Sequence, residues 1–150
     1  MSREMVDRHP APGRGHRRGA DGRTRYCRVT NDTRGALLAS NAVLATTSRE
    51  RRRGLIGRDG LEPGEALIIL RCRHVHTFGM RFAIDVLFVD GSGGVVLTRQ
   101  GLSPRRISPV AWGARQAIEL PAGTLERTGT IKGDRVSLDD RMGPRRPHPA

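Results

Sequence analysis

His74-Val-His76-Thr77-Phe-Gly-Met80-Arg-Phe-Ala-Ile-Asp85-Val-Leu-Phe-Val-Asp90 sets two imidazoles, a hydroxyl and a carboxylate against the most apolar run of the chain, Ile84 to Val89. Polar groups beside a buried strand must be satisfied by the fold, a ligand or a metal. Cys72, His74 and His76 alternate, so on a strand they share one face. Neighbours on that face lie about 6.6 Å apart and the outer two about 13 Å. Zinc bonds of about 2.0–2.3 Å therefore cannot draw Cys72 and His76 to one ion on a straight strand. A His pair could ligate only with help from elsewhere, and no metal or other cofactor is expected. A cupin-like His-x-His would want a Glu near position 80, where Met80 stands.

Asp85 has two readings. It either fixes the turn over Gly79–Ala83 by accepting backbone hydrogen bonds, or serves a ligand as acid, base or anchor. Glu119 sits likewise between apolar Ile118 and Leu120, and would form a two-carboxylate site if it met Asp85. Nucleophile arrangements are weaker, because Cys72 and its neighbouring histidines sit side by side on one segment. The glycines at 91–94 lead into another strand, so they form no phosphate loop. The expected ligand-binding set is His76, Thr77, Met80 and Asp85, with Arg53 and Glu119 as contributors. Catalysis is left open.

The elements that must hold these residues are short. Candidate strands are Ala36–Ala39, Ala42–Thr46, Ala66–Leu70, Arg73–Phe78, Ile84–Val89, Val95–Arg99, Ala117–Leu120 and Arg135–Leu138. Such spacing, with Asp90-Gly-Ser-Gly-Gly94 as a hairpin loop, predicts a sandwich or barrel. Thr47-Ser-Arg-Glu50 is a capping box for a helix through Arg51–Ile56, stopped at Gly57. Arg49, Arg52 and Arg53 share one face of it, either solvated or edging an anion site. A second short turn starts at Thr124 with Glu126 and Arg127 exposed. Residues 101–116 form a surface connection marked by Pro104, Pro109 and Arg105-Arg106, in which Trp112 is expected to anchor packing.

The 150 residues make one domain, 26–140, between basic tails at 1–25 and 141–150 that lack core residues and are expected to be disordered. The tails hold +7 of the net charge of +12, leaving +5 on the body. That excess and the scarcity of aromatic residues predict weak, salt-sensitive polyanion binding by the tails and no sequence-specific nucleic-acid site. Cys27 and Cys72 form no CxxC, and the N-terminus has no apolar stretch of secretory type. No run is long enough to span a bilayer, so a cytoplasmic protein with reduced thiols and no membrane partner is expected.

Several ordered motifs carry a family resemblance: Ala45-Thr-Thr-Ser-Arg-Glu50, Arg53-Gly-Leu-Ile56, Thr77-Phe-Gly-Met80, Ile84–Asp90, Pro104, Glu119-Leu-Pro-Ala-Gly123, Gly129 and Gly133-Asp134. Over about residues 35–140 the chain resembles the domain of unknown function 192 family of bacteria and archaea. The resemblance implies a mainly-β, jelly-roll-like sandwich or barrel with one short helix and no established reaction. Many members look exported, whereas this N-terminus does not. Gly79 stands where the family usually has an aromatic residue. The resulting expectation is a small-ligand pocket near His76 and Asp85. Its alternative is a non-enzymatic module that binds a protein or polyanion through an Arg-rich surface and tails. Ligand identity and oligomeric state are left unassigned.

Overall fold

The computed structural model describes residues 25–45, 50 and 53–139. The two tails and most of the expected capping box, Thr47 to Arg49, lie outside the described residues. Within them the chain is mainly β: β1 (Tyr26–Asn31), β2 (Ala36–Ala45), β3 (Glu65–Leu70), β4 (Ile84–Val89), β5 (Val95–Leu102), β6 (Gln116–Pro121) and β7 (Val136–Asp139), with helix α1 (Thr124–Thr128) between β6 and β7. They form one seven-stranded sheet in the order β5-β4-β6-β3-β2-β1-β7. β2 and β3 run parallel and the other neighbours antiparallel.

The sheet curls into a half-barrel, compatible with the jelly-roll-like architecture expected. Its two outermost strands approach at a bridge between Gly94 and Arg135. There Val136 N–H donates to the Gly93 carbonyl at 2.8 Å and Val95 N–H to the Asp134 carbonyl at 2.8 Å. Gly93 is required at this seam. Its φ is +88°, and a Cβ would lie 2.5 Å from the Val136 oxygen.

Alternation along each strand gives the sheet two apolar faces. The inner face gathers Val29, Leu38, Ile68, Leu87, Val89, Ile118 and Leu120 with Leu125 of α1. The outer face gathers Leu67, Ile69, Val86, Phe88 and Ala117, and is covered by Leu55, Val75, Met80, Ala111 and Ala114 from the connecting segments. β4 is therefore buried at all six positions, as a run that is apolar at all but Asp85 predicts.

Three expectations change. The two strands expected at 36–46 are one strand, and β1 is an additional one. Arg73–Phe78 is no strand. It is extended and runs beside residues 104–112, but only His76 and Ile107 form a bridge. Two prolines interrupt that partner, and Val75 N–H donates to the Ser108 hydroxyl (3.0 Å) instead of to a backbone carbonyl. Finally, helix geometry at Glu50 and Arg53 gives way at Gly54, whose N–H donates to the Glu50 carbonyl (2.9 Å) and whose φ is +47°. The turn expected at Thr124 is the helix α1, with Glu126 and Arg127 exposed.

Candidate functional site

The strap formed by 71–80, the turn at 53–56 and the outer face of β3 and β6 enclose a cavity of about 460 Å³. Four of the expected residues line it: Arg53, His76, Met80 and Glu119. Leu55, Ile69 and Val75 supply apolar wall, while Arg71, Cys72 and His74 add polar groups. Arg53, Arg71, His74 and His76 are exposed, so the rim is basic and the interior apolar. Arg71 had no signal in the sequence beyond its place at the end of an apolar strand.

Glu119 is the polar group at depth. In the ladders it stands opposite Leu67 of β3 and Val86 of β4, so aliphatic neighbours flank it on its own face. It is 3% exposed, and its Oε2 is buried without a hydrogen-bond partner. Burial alone pushes its pKa up to about 8. At neutral pH the side chain is therefore mainly a neutral carboxyl, offering one O–H donor and one carbonyl acceptor.

Asp85 and Thr77 belong elsewhere, and the expected site is corrected accordingly. Asp85 lies opposite Leu120 and Glu119 opposite Val86, so the two carboxylates point to opposite faces of the sheet. No two-carboxylate centre exists between them. Asp85 accepts backbone hydrogen bonds, but from Gly101 and Leu125 and not from the turn over Gly79–Ala83 foreseen for it. Its Oδ1 accepts from Gly101 N–H and its Oδ2 from Leu125 N–H, both at 2.9 Å. The first bond serves a bulge where Gln100 and Gly101 together face Asp85. Gly101, at φ +58°, leaves the ladder, and the carboxylate takes its free N–H. The second meets an orphan donor at the start of α1.

Thr77 faces inward because its neighbours in the strap face out. Its hydroxyl donates to the Ser103 carbonyl at 2.6 Å and accepts from Arg106 N–H at 2.9 Å, tying the strap to the 103–106 segment. His76 lines the cavity from its exposed side, with its ring 5.7 Å from that of Phe78. Cys72 donates to the His74 carbonyl at 3.0 Å. Among the described residues, no three His, Cys, Asp or Glu side chains are grouped to hold a metal ion. At Gly79 (φ +80°), a Cβ would sit 3.3 Å from Ile56 Cγ2, so Ile56 packs where an aromatic residue at 79 would begin.

The fold is shared with solved bacterial structures. A protein of unknown function from Novosphingobium aromaticivorans superposes with a TM-score of 0.67 at 23% identity, covering 91% of this chain and 99% of that one. A protein from Sinorhizobium meliloti described as a "putative transcription regulator" gives 0.67 at 21%, covering 77% and 93%. The family model of domain of unknown function 192, described as an uncharacterized ACR, matches residues 29–138, and the chain belongs to that family. A search of curated proteins finds no match.

Proposed function

We propose that the outer cavity binds a small polar ligand, with Glu119 as the group that recognises it. The observation that carries this reading is the unpartnered Glu119 oxygen in a cavity whose wall is apolar at Leu55, Ile69 and Val75 and whose rim is basic. A buried polar atom left without a partner costs about 1–3 kcal/mol, and a ligand that supplies the partner recovers that cost. The neutral carboxyl complements a hydroxyl, amide or carbonyl group. The apolar wall suits a short hydrocarbon body, and the basic rim favours an anionic group facing solvent. A carboxyl with a pKa near 8 is also suited to give up a proton near neutral pH, which leaves room for acid catalysis without requiring it.

The test is a thermal-shift screen of small metabolites at pH 7, followed by the same hits on Glu119→Leu. A ligand at about 100 times its Kd adds about 2.7 kcal/mol to the native state. Hits should stabilise the natural chain and lose that effect in Glu119→Leu, which keeps the shape and removes the polar group. Hits that stabilise both proteins equally would place binding outside this cavity and sink the reading.

A further inference from the structure

The strap and the segment paired with it carry a second feature, on the surface. Residues 104–112 expose Ile107 (62%), Val110 and Trp112 (77%), and Phe78 on the adjoining segment is 48% exposed. Ile107 is the bridge partner of His76, whose ring contacts Phe78, and Ala111 N–H donates to the Arg73 carbonyl at 2.7 Å. These side chains thus ride on two paired extended segments. Trp112, expected to anchor packing, instead projects into solvent. Thr77, Val75 and Ser108, all buried, hold the strap against the sheet from below.

The charge around this apolar set has one sign. Residues 66–84 and 91–118 contain no Asp or Glu, yet hold Arg71, Arg73, Arg81, Arg99, Arg105, Arg106 and Arg115, all exposed. Of the acids that flank these stretches, Glu65 pairs with Arg58 at 2.8 Å, Asp85 and Glu119 are buried, and Asp90 accepts hydrogen bonds within its own turn. Farther back, Asp59 pairs with Arg81 at 2.8 Å. Exposed aliphatic and indole groups set among guanidinium groups, of which Arg81 has an ion-pair partner, match a surface that is anionic outside and apolar beneath.

We propose that the strap and the 104–112 segment paired with it form a docking surface for an anionic lipid membrane, with Ile107, Val110 and Trp112 entering the interface and the neighbouring arginines facing the headgroups. Trp is suited to the headgroup level, and aliphatic side chains to the acyl boundary just below. Nucleic acid is the poorer match, since Ile107 and Val110 neither stack on bases nor bind phosphate. No helix among the described residues is long and apolar enough to cross a membrane. Docking of this kind needs none. The sequence by itself gave no reason to expect a membrane partner; the exposed strap does. The proposal does not depend on the cavity reading.

Trp112 is the only tryptophan of the chain, so its fluorescence reports this loop alone. The full chain is mixed with vesicles of pure phosphatidylcholine, or of phosphatidylcholine with phosphatidylglycerol, and binding is followed by sedimentation and emission. The expected result is co-sedimentation with the anionic vesicles, a blue-shifted emission, and quenching by lipids brominated in the acyl chain. Rising salt should weaken all three. Ile107→Asp, at an exposed position, should abolish the shift without altering the melting temperature, with Val110→Asp as a second variant should the first fail to fold. Sedimentation with unchanged emission would assign binding to the tails or another face and overturn the proposal. So would equal binding to neutral vesicles, or no binding to either. A blue shift produced by a single-stranded oligonucleotide or by polyglutamate, but not by vesicles, would give the surface to that partner instead.

Discussion

Asp85 and Glu119 sit on hydrogen-bonded neighbouring strands, one residue out of register, and both are buried. Asp85 on the inner face receives two backbone N–H groups that the bulge and the helix start leave free. Glu119 on the outer face meets Leu67 and Val86 and keeps an oxygen unpartnered. Burial alone therefore does not identify a site; what separates the two is whether the protein completes the hydrogen bonding of the buried group. The inner face is closed chemically, and the outer face is open at one atom.

The largest effect expected from this contrast is at Asp85. Replacement by Ala leaves the Leu125 N–H buried and unsatisfied, at about 1–3 kcal/mol, and removes the partner of the part-buried Gly101 N–H, at about 1 kcal/mol. Asp85→Asn retains one acceptor oxygen and should lose roughly half as much. Denaturant melts measure both. If Asp85→Ala melts like the natural chain, the inner carboxylate is not holding the bulge and helix together, and the contrast with Glu119 collapses.

Glu119 should behave in the opposite sense. Its native pKa of about 8 lies above its ordinary value of 4.5. Between those two values the native protein retains a proton that the unfolded chain has released. Stability therefore falls as pH rises from about 4.5 to about 8, and this group adds no further loss above that. At about 1.4 kcal/mol per pH unit the full decline is a few kcal/mol. Glu119→Gln cannot ionise, so in urea melts from pH 5 to 9 it should gain on the natural chain steadily, by about 2–4 kcal/mol at the top. Parallel pH profiles would mean that the natural Glu119 is already ionised and solvated.

Much of this arrangement was legible in the sequence, down to a definite limit. The run Ile84–Val89 announced a strand covered on both sides, and Asp90–Gly94 announced its hairpin. Within the strap, alternation put Val75 and Thr77 on the side opposite His74 and His76, which the structure also shows. That same parity rules out His76 and Thr77 facing one pocket, a consequence the residue pattern already contained. Alternation also fixed which neighbours Asp85 and Glu119 share on their own strands. It could not fix the offset between β4 and β6. One residue of register decides whether two buried carboxylates meet or turn their backs. β1 escaped notice because Arg28 interrupts it beside an Arg-rich tail, although Cys27, Val29 and Asn31 alternate inward. Its Asn31 amide is spent inside the fold, donating to Thr130 Oγ1 and Asp134 Oδ2 at 3.0 and 2.9 Å.

The smallest effect, and the finest probe of the open face, is at Arg53. Its side chain is exposed at the rim of the cavity, and it has no ion-pair partner among the described residues. Arg53→Ala should therefore shift stability by no more than about 0.5 kcal/mol. A solvent-exposed charge pair contributes about 0.2–1 kcal/mol, so an anionic ligand should bind about 1.4- to fivefold more weakly. An uncharged ligand of the same shape should be unaffected. Titration calorimetry of such a matched pair from the metabolite screen, at two salt concentrations, separates the possibilities. Equal losses for both ligands would show that Arg53 acts by packing its stem against the ligand. No loss for the anion would leave Arg71 as the guanidinium that faces it. Only a selective, salt-sensitive loss for the anion fits a cavity whose depth is read by Glu119 and whose mouth is read by Arg53.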